Sequence, residues 1–146
     1  MAWLVTGGAG YIGSHVVRAL LADGHDVVVL DDLSSGRREF VPVGPVLEEG
    51  SLLDQHFLEG VFGRHDVSGV IHLAGFKYAG LSVEWPLHTY RQNVTGTVNL
   101  LAAMEAASVP SMVFSSSAAV YGNAAAEFVT ETVPTNPESP MANPSS

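Results

Sequence analysis

The chain of 146 residues contains no cysteine, and its six lysine and arginine residues stand against fifteen aspartate and glutamate residues. Without cysteine, disulfides and thiolate metal sites are excluded, and a cytoplasmic location is the simplest expectation. Nucleic-acid binding requires a basic patch, which a chain with a net charge of −9 hardly supplies. We therefore expect no nucleic-acid partner.

Long apolar runs and paired histidines are also missing. No apolar stretch approaches the roughly 20 residues of a membrane-spanning helix, and no basic leader precedes the first strand pattern, so we expect neither a membrane span nor a signal peptide. The six histidines are scattered without a His-x-x-x-His pair, and we expect no metal site. With 47% hydrophobic and 14% charged residues, the chain is expected to bury the core of one domain.

The N-terminal segment has the pattern of a strand, a glycine turn, a helix and a second strand. A short apolar run over residues 3–5 ends in Thr6-Gly7-Gly8, as a buried strand would. Apolar residues then recur at helical spacing up to Gly24, which is a typical residue after a helix end. A second apolar run over residues 26–30 completes one βαβ unit.

Strands and helices keep alternating along the rest of the chain. Further strands are predicted over residues 45–48, 67–73 and 111–114, and helices over 52–58 and 83–107, the latter with Pro86 in its first turn. This alternation predicts an α/β fold, a Rossmann-type doubly wound parallel sheet with strand order 3-2-1-4-5. We assign residues 1–122 to this domain and predict an irregular tail over residues 123–146, which contain four prolines.

The glycine turn predicts a dinucleotide site. Gly7, Gly10 and Gly13 follow the first strand at the spacing that permits a tight turn, a close approach of the backbone to a pyrophosphate, and close packing of the helix on the sheet. The N-terminus of the following helix offers free N–H groups to the phosphates. Asp31, at the end of the second strand, can accept hydrogen bonds from ribose hydroxyls and would repel a 2′-phosphate, which favours NAD over NADP.

Three further segments carry a resemblance to a known family. They are His-Leu-Ala-Gly at 72–75, Asn-Val-Thr-Gly-Thr at 93–97 and Ser-Ser-Ser-Ala-Ala-Val-Tyr-Gly at 115–122. With the glycine turn and Asp31, they make the chain similar to the UDP-glucose 4-epimerase family of extended short-chain dehydrogenase/reductases, from residue 2 to about residue 140. The resemblance implies NAD as cofactor, a UDP-sugar as substrate, and interconversion of UDP-glucose and UDP-galactose through a 4-keto intermediate. It also implies a homodimer for the family, which we do not extend to this chain alone.

The cofactor-binding residues that the resemblance implies lie in five segments. Tyr11 and Ile12 would meet the pyrophosphate with their N–H groups, and Lys77 would reach the nicotinamide ribose. Ser51 stands where the family usually has an aspartate beside the adenine, so an acceptor for the adenine amino group is lost. His72 is interpreted as a core or supporting residue. The predicted set is Gly7, Gly10, Tyr11, Ile12, Gly13, Asp31, Asp32, Leu33, Ser34, Ser35, Gly36, Ser51, Leu52, Leu73, Ala74, Gly75, Phe76, Lys77, Gln92 and Asn93.

The catalytic residues that the resemblance implies are incomplete. Ser117 matches the serine that hydrogen-bonds the 4-oxygen of the sugar, but Met141 and Ser145 stand where the family has its catalytic tyrosine and lysine. Methionine has no proton to exchange, and serine has no charge with which to lower the pKa of a tyrosine. We therefore predict that this chain alone, from which the C-terminal substrate domain is expected to be absent, binds NAD without catalysis.

Other interpretations remain open. The chain is alternatively a non-catalytic NAD-binding module, a non-functional truncated fragment, or part of another nucleotide-sugar reductase. A sugar 4,6-dehydratase is disfavoured, since those enzymes carry Thr-Asp-Glu where this chain has Ser117-Ala118-Ala119.

Overall fold

A computed structural model describes residues 1–123 and 128–138 of the chain. Five strands form one parallel sheet in the order β3-β2-β1-β4-β5. The strands are Ala2–Thr6 (β1), Asp26–Asp31 (β2), Val46–Glu49 (β3), Val67–His72 (β4) and Met112–Phe114 (β5). The α-helices are Tyr11–Ala22 (α1), Gln55–Arg64 (α2), Ala79–Glu84 (α3), Pro86–Tyr90 (α4) and Gly96–Ala106 (α5). The predicted Rossmann-type fold and strand order are confirmed.

The two faces of the sheet are covered by different helices. On one face, alternate residues of the central strands such as Leu4 and Val28 pack with Leu58 of α2 and Leu100 of α5. On the other face, a second core cluster joins the intervening strand residues to Val17 of α1. Because side chains alternate across a strand, the continuous apolar runs of β1 and β2 supply both cores.

Helix α2 begins later and ends later than predicted. The side chain of Asp54 accepts a hydrogen bond from the backbone N–H of Phe57 at 2.9 Å, which caps the helix and fixes its start at Gln55. The predicted range 52–58 placed the start before this cap. The helix then continues to Arg64, and it buries Leu58, Val61 and Phe62 against the sheet.

The predicted helix over residues 83–107 is wrong in two respects. Trp85 leaves the helical region, with φ −127° and ψ 61°, because the proline that follows it disfavours the α conformation. The chain therefore forms α3 first and starts a new helix at Pro86. The new helix contains a π-helical segment, Arg91–Thr95, between α4 and α5. Such segments are rare and often occur at functional sites.

One face of the helix that runs from Pro86 to Ala106 is exposed to solvent in the described part of the chain. Val94, Val98 and Leu101 are 43%, 56% and 45% exposed, so these side chains do not pack against the sheet. After β5, a short 3-10 helix spans Ala118–Tyr121, and residues 128–138 contain neither helix nor strand. Met141 and Ser145, which the family resemblance leads us to expect at the positions of the catalytic pair, lie outside the described residues.

Among the described residues, none of the helices combines the length and the apolar character that crossing a membrane requires. Within residues 1–123 and 128–138, no three histidine, aspartate or glutamate side chains come together as a metal site.

Candidate cofactor site

A cavity of about 410 Å³ opens where the carboxyl ends of the strands meet. In parallel α/β sheets, ligands bind beyond this edge, at the point where the strand order reverses. Here that point lies between β1 and β4. The cavity is lined by Gly7, Gly10, Tyr11, Ile12, Gly13, Leu30, Asp31, Asp32, Ser34, Ser35, Gly36, Gly50, Ser51, Leu52, Leu73, Ala74, Gly75, Phe76, Lys77, Tyr78, His88, Gln92 and Ser115.

Two walls border the cavity. The turn wall consists of residues 7–13, between β1 and α1, and residues 31–36, after β2. The loop wall consists of residues 73–77, directly after β4. The segments of both walls directly follow the carboxyl ends of β1, β2 and β4, so the central sheet fixes the relative position of the walls.

The glycines of the turn wall are required by close contacts. Gly7 has φ +72°, which favours glycine, and a Cβ built on it would lie 2.7 Å from the backbone nitrogen of Ala74. A Cβ at Gly13 would overlap the carbonyl oxygen of Gly7 and the Cα of Gly8. The missing side chain at Gly7 lets the turn wall lie against the loop wall. The missing side chain at Gly13 lets α1 start directly beside the turn.

The N-terminus of α1 is open toward the cavity. Gly10 occupies the N-cap position without a capping side chain, and the first turn of the helix contains no acidic residue. Tyr11 and Ile12 are exposed although both are large and apolar. The first N–H groups of a helix lack partners within the helix, and the helix dipole adds a partial positive charge there. This end of α1 is therefore suited to an anionic group such as a phosphate.

The side chain of Asp31 connects the two segments of the turn wall. Its carboxylate accepts a hydrogen bond from the N–H of Ala9 at 3.0 Å and another from the N–H of Leu33 at 2.9 Å. Burial raises the pKa of Asp31, and the two backbone hydrogen bonds partly oppose that rise. A carboxylate has about four acceptor positions, so two remain for a ligand. Asp31 lines the cavity and can accept hydrogen bonds from hydroxyl groups there.

Gly36 makes room for this carboxylate. A Cβ at Gly36 would lie 2.7 Å from Oδ1 of Asp31 and 3.0 Å from the Cβ of Ala9. The N–H of Arg37 donates to the carbonyl oxygen of Ala9 at 2.9 Å, which ties the loop after β2 to the glycine turn. The glycine turn and the loop after β2 are thus joined by main-chain hydrogen bonds and by the carboxylate of Asp31.

The loop wall is held by side chains that come from distant parts of the chain. Asn93 receives a hydrogen bond from the N–H of Phe76 at 2.6 Å and donates one to the carbonyl oxygen of Phe76 at 3.0 Å. His72, which is 2% exposed, bonds through its two ring nitrogens to Thr6 at 2.6 Å and Thr97 at 2.9 Å. Burial lowers the pKa of His72 to about 4, so the imidazole is neutral at physiological pH.

The structure brings all but two of the predicted cofactor-binding residues to this cavity. Leu33 and Asn93 are not among the lining residues: Leu33 has φ +57° and directs its N–H to Asp31, and Asn93 lies behind the loop wall. Ser117 does not line the cavity either. Its hydroxyl oxygen accepts a hydrogen bond from the N–H of Ala119 at 3.1 Å and caps the short 3-10 helix.

Five lining residues were missed by sequence reasoning: Leu30, Gly50, Tyr78, His88 and Ser115. Leu30, Gly50 and Ser115 adjoin predicted segments, so wider segment limits would have included them. Tyr78 follows Lys77 and would also fall within wider limits, whereas His88 carries no sequence signal. Their rings lie 5.3 Å and 5.0 Å from that of Phe76, in edge contacts that only the folded chain creates.

A parallel sheet that ends in a glycine turn, with an acidic residue after the second strand, is the arrangement of the Rossmann class of dinucleotide-binding domains. The sequence matches the profile of the NAD dependent epimerase/dehydratase family over residues 3–143, and the chain belongs to this family.

The relatives of this chain include several UDP-glucose 4-epimerases. The enzyme of Erwinia amylovora is 50% identical over 141 residues, which are 92% of this chain and 42% of the relative. A structure of the Thermus thermophilus enzyme in complex with NAD matches with a TM-score of 0.92 at 42% identity, over 97% of this chain and 46% of that one. The Thermotoga maritima enzyme with UDP-glucose matches with a TM-score of 0.90 at 38% identity, over 97% and 47%. The chain thus spans less than half of the length of each of these relatives.

Proposed function

We propose that this chain binds NAD in the cavity between the turn wall and the loop wall, as the cofactor-binding part of a UDP-glucose 4-epimerase. The observation that carries the proposal is the pairing of two features in one cavity: the uncapped N-terminus of α1 and the carboxylate of Asp31. They suit a ligand that combines phosphate groups with a ribose.

The residues fit each part of such a ligand. Gly10 lacks a side chain where the pyrophosphate would approach, and the N–H groups of Tyr11 and Ile12 point from the open helix end. The acceptor positions that remain on Asp31 would bind the adenosine ribose hydroxyls. A 2′-phosphate at the same place would face a buried carboxylate, which supports NAD over NADP. Lys77, on the loop wall, would bind the nicotinamide ribose.

NAD would supply a hydride acceptor for the C4 position of a sugar and return the hydride afterwards. A UDP-sugar is the proposed substrate of the whole protein, and the Thermotoga maritima relative with UDP-glucose supports it. By the family resemblance, Met141 and Ser145 of this chain fall at the positions of the family's tyrosine and lysine. Neither side chain can remove a proton from a sugar hydroxyl near neutral pH. We therefore propose cofactor binding without epimerisation for this polypeptide by itself.

Calorimetric titration with NAD tests the cofactor proposal. We compare the unaltered chain with Asp31→Ala and with Asp26→Ala, an exposed residue at the opposite end of the same strand. Saturable binding that weakens about tenfold in Asp31→Ala and stays unchanged in Asp26→Ala is expected, since about one charged hydrogen bond is lost. A folded chain that does not bind NAD, or binds it equally well without Asp31, would contradict the proposal.

An activity assay tests the second part. The purified chain is incubated with NAD and UDP-galactose, and UDP-glucose is measured by chromatography. We expect no conversion above that of a sample without protein. Conversion by the chain alone would show that the substitution at Met141 does not abolish the chemistry, and that part of the proposal would be wrong.

A further inference from the structure

A continuous chain of hydrogen bonds crosses the molecule behind the loop wall. It begins at the N–H of Ala74, which donates to the hydroxyl of Thr6 at 3.4 Å. Thr6 bonds to Nδ1 of His72, and Nε2 of His72 bonds to the hydroxyl of Thr97. The hydroxyl of Thr97 then donates to the carbonyl oxygen of Asn93 at 2.6 Å. The chain of bonds joins the end of β1, the end of β4 and the helix that starts at Pro86.

The direction of these hydrogen bonds fixes the tautomer of His72. Thr97 has a single hydroxyl hydrogen, which it gives to a carbonyl oxygen, so in its contact with His72 it can only accept. His72 must therefore carry its proton on Nε2. A neutral imidazole then has an unprotonated Nδ1, which accepts the hydroxyl hydrogen of Thr6. Thr6 in turn has only lone pairs left for the N–H of Ala74, and the assignment is consistent from end to end.

Two side-chain anchors of the loop wall adjoin this chain of bonds, in addition to the main-chain bond from the N–H of Leu73 to the carbonyl oxygen of Thr6. Ala74 is bonded to Thr6, and Phe76 is bonded through both of its main-chain groups to the side chain of Asn93. Within this chain of bonds, the ring of His72 is the link between Thr6 and the helical turn that contains Asn93 and Thr97. The ring is 2% exposed, so water cannot replace a lost partner without a change in packing.

We propose that His72 is a positioning residue, which holds the loop wall in its binding geometry through a fixed Nε2–H tautomer and the hydroxyls of Thr6 and Thr97. The consequence for ligand affinity rests on the proposed function, since it concerns the same NAD site. The tautomer and the position of the loop wall do not rest on it, because both exist in the protein without a ligand.

Nitrogen-15 NMR of the unliganded protein tests the tautomer. Long-range correlations distinguish a protonated from an unprotonated ring nitrogen, and His72 is assigned by its absence from a His72→Gln sample. We expect a protonated Nε2 and an unprotonated Nδ1 from pH 6 to pH 8. A proton on Nδ1, or a mixture of both tautomers, would overturn the proposal.

A matched pair of variants tests the positioning. Thr97→Val keeps the shape of the side chain and removes the hydroxyl, whereas Thr97→Ser keeps the hydroxyl. We expect the amide signals of Ala74 and Phe76 to move in Thr97→Val and to return close to their original positions in Thr97→Ser. If they stay in place in both variants, the loop wall does not depend on the His72 hydrogen bonds and the proposal is wrong. Should Thr97→Val fail to fold, the tautomer measurement still decides.

The same variants are then titrated with NAD. We expect Thr97→Val to bind about tenfold more weakly and Thr97→Ser to bind as the unaltered chain does, since one buried polar group is left unpaired in the first variant only. Equal affinity in all three proteins would overturn the positioning role. If the unaltered chain does not bind NAD at all, the proposed function fails, and the amide signals judge the positioning of the loop wall separately.

Discussion

The two walls of the cavity are held together by different kinds of contact. The turn wall depends on glycines that permit close backbone contacts and on Asp31, which bonds to two main-chain N–H groups nearby. The loop wall depends on Thr6, His72 and Asn93, whose side chains bring together residues that are 17 to 68 positions apart. The turn wall is therefore built within one βαβ unit, whereas the loop wall forms only once β4 and the helix that starts at Pro86 have assembled with β1.

The largest effect is expected where a side chain would break the turn wall. In Gly13→Ala the new Cβ overlaps the carbonyl oxygen of Gly7, a backbone atom that cannot move without displacing β1. We expect a loss of about 3 kcal/mol or more in the free energy of unfolding, measured by urea denaturation. Gly63→Ala is the control, because a Cβ there meets no atom within 4 Å and alanine favours the helix. Equal stability of the two variants would show that the close contact at Gly13 is not needed.

The next effect concerns the loop wall and its dependence on pH. The pKa of His72 is about 4 in the folded chain, whereas an unfolded histidine has a pKa of about 6.5. Between these values the unfolded state binds the proton and the folded state does not, so this contribution to stability is complete above pH 6.5 and is lost as the pH falls toward 4. From pH 7 to pH 5 the loss is about 2 kcal/mol.

A variant without this titrating group isolates the effect. His72→Gln removes the ring but leaves the other five histidines, so their contributions are the same in both proteins. We expect denaturant unfolding of the unaltered chain to weaken more between pH 7 and pH 5 than that of His72→Gln, although the variant is less stable at pH 7. Parallel pH dependence would mean that the ring of His72 takes up its proton without a cost in the folded state.

The turn wall could be predicted from the sequence, whereas the contacts that support the loop wall could not. The turn wall lies within one βαβ unit, in which the bond between Asp31 and Ala9 crosses 22 positions. The glycine spacing and the acidic residue after the second strand form a pattern that predicted this wall, and the apolar runs predicted the strand order. Thr6, Thr97 and Asn93 are ordinary polar residues until β1, β4 and the helix bring them to His72. Their contacts cross up to 68 positions, and no local pattern signals them. The break at Trp85 is an intermediate case, since the proline after it is a visible but weak signal.

A smaller effect is expected from a change that shifts Asp31 without breaking the turn. In Gly36→Ala the new Cβ would lie 2.7 Å from Oδ1 of Asp31, a side-chain atom that can rotate away. We expect about 1 kcal/mol of destabilisation, since the displaced carboxylate weakens its bonds to Ala9 and Leu33, and an increase of about tenfold in the dissociation constant for NAD, since the carboxylate leaves its ribose-binding position. Calorimetry on Gly36→Ala and on the Gly63→Ala control measures this. An unchanged affinity would show that the turn wall binds NAD without help from the carboxylate geometry.

The smallest effect is expected from adding a side-chain contact to the cavity next to the turn wall. Ser51 lines the cavity where the family resemblance places an aspartate beside the adenine, and its hydroxyl oxygen accepts a hydrogen bond from the N–H of Leu53 at 3.2 Å. An aspartate can accept that bond as well and still offer an oxygen to the adenine amino group. We expect Ser51→Asp to bind NAD about threefold more tightly, within the usual value of one hydrogen bond.

Ser51→Asn is the matched control for this change, because its carbonyl oxygen is an acceptor without a charge. If the added acceptor matters, both variants should bind more tightly than the unaltered chain, and the aspartate should bind no more weakly than the asparagine. Weaker binding by the aspartate alone would mean that its charge acts on the phosphates instead of the adenine. The cavity would then not tolerate a further carboxylate beside Asp31 and Asp32, which already line it.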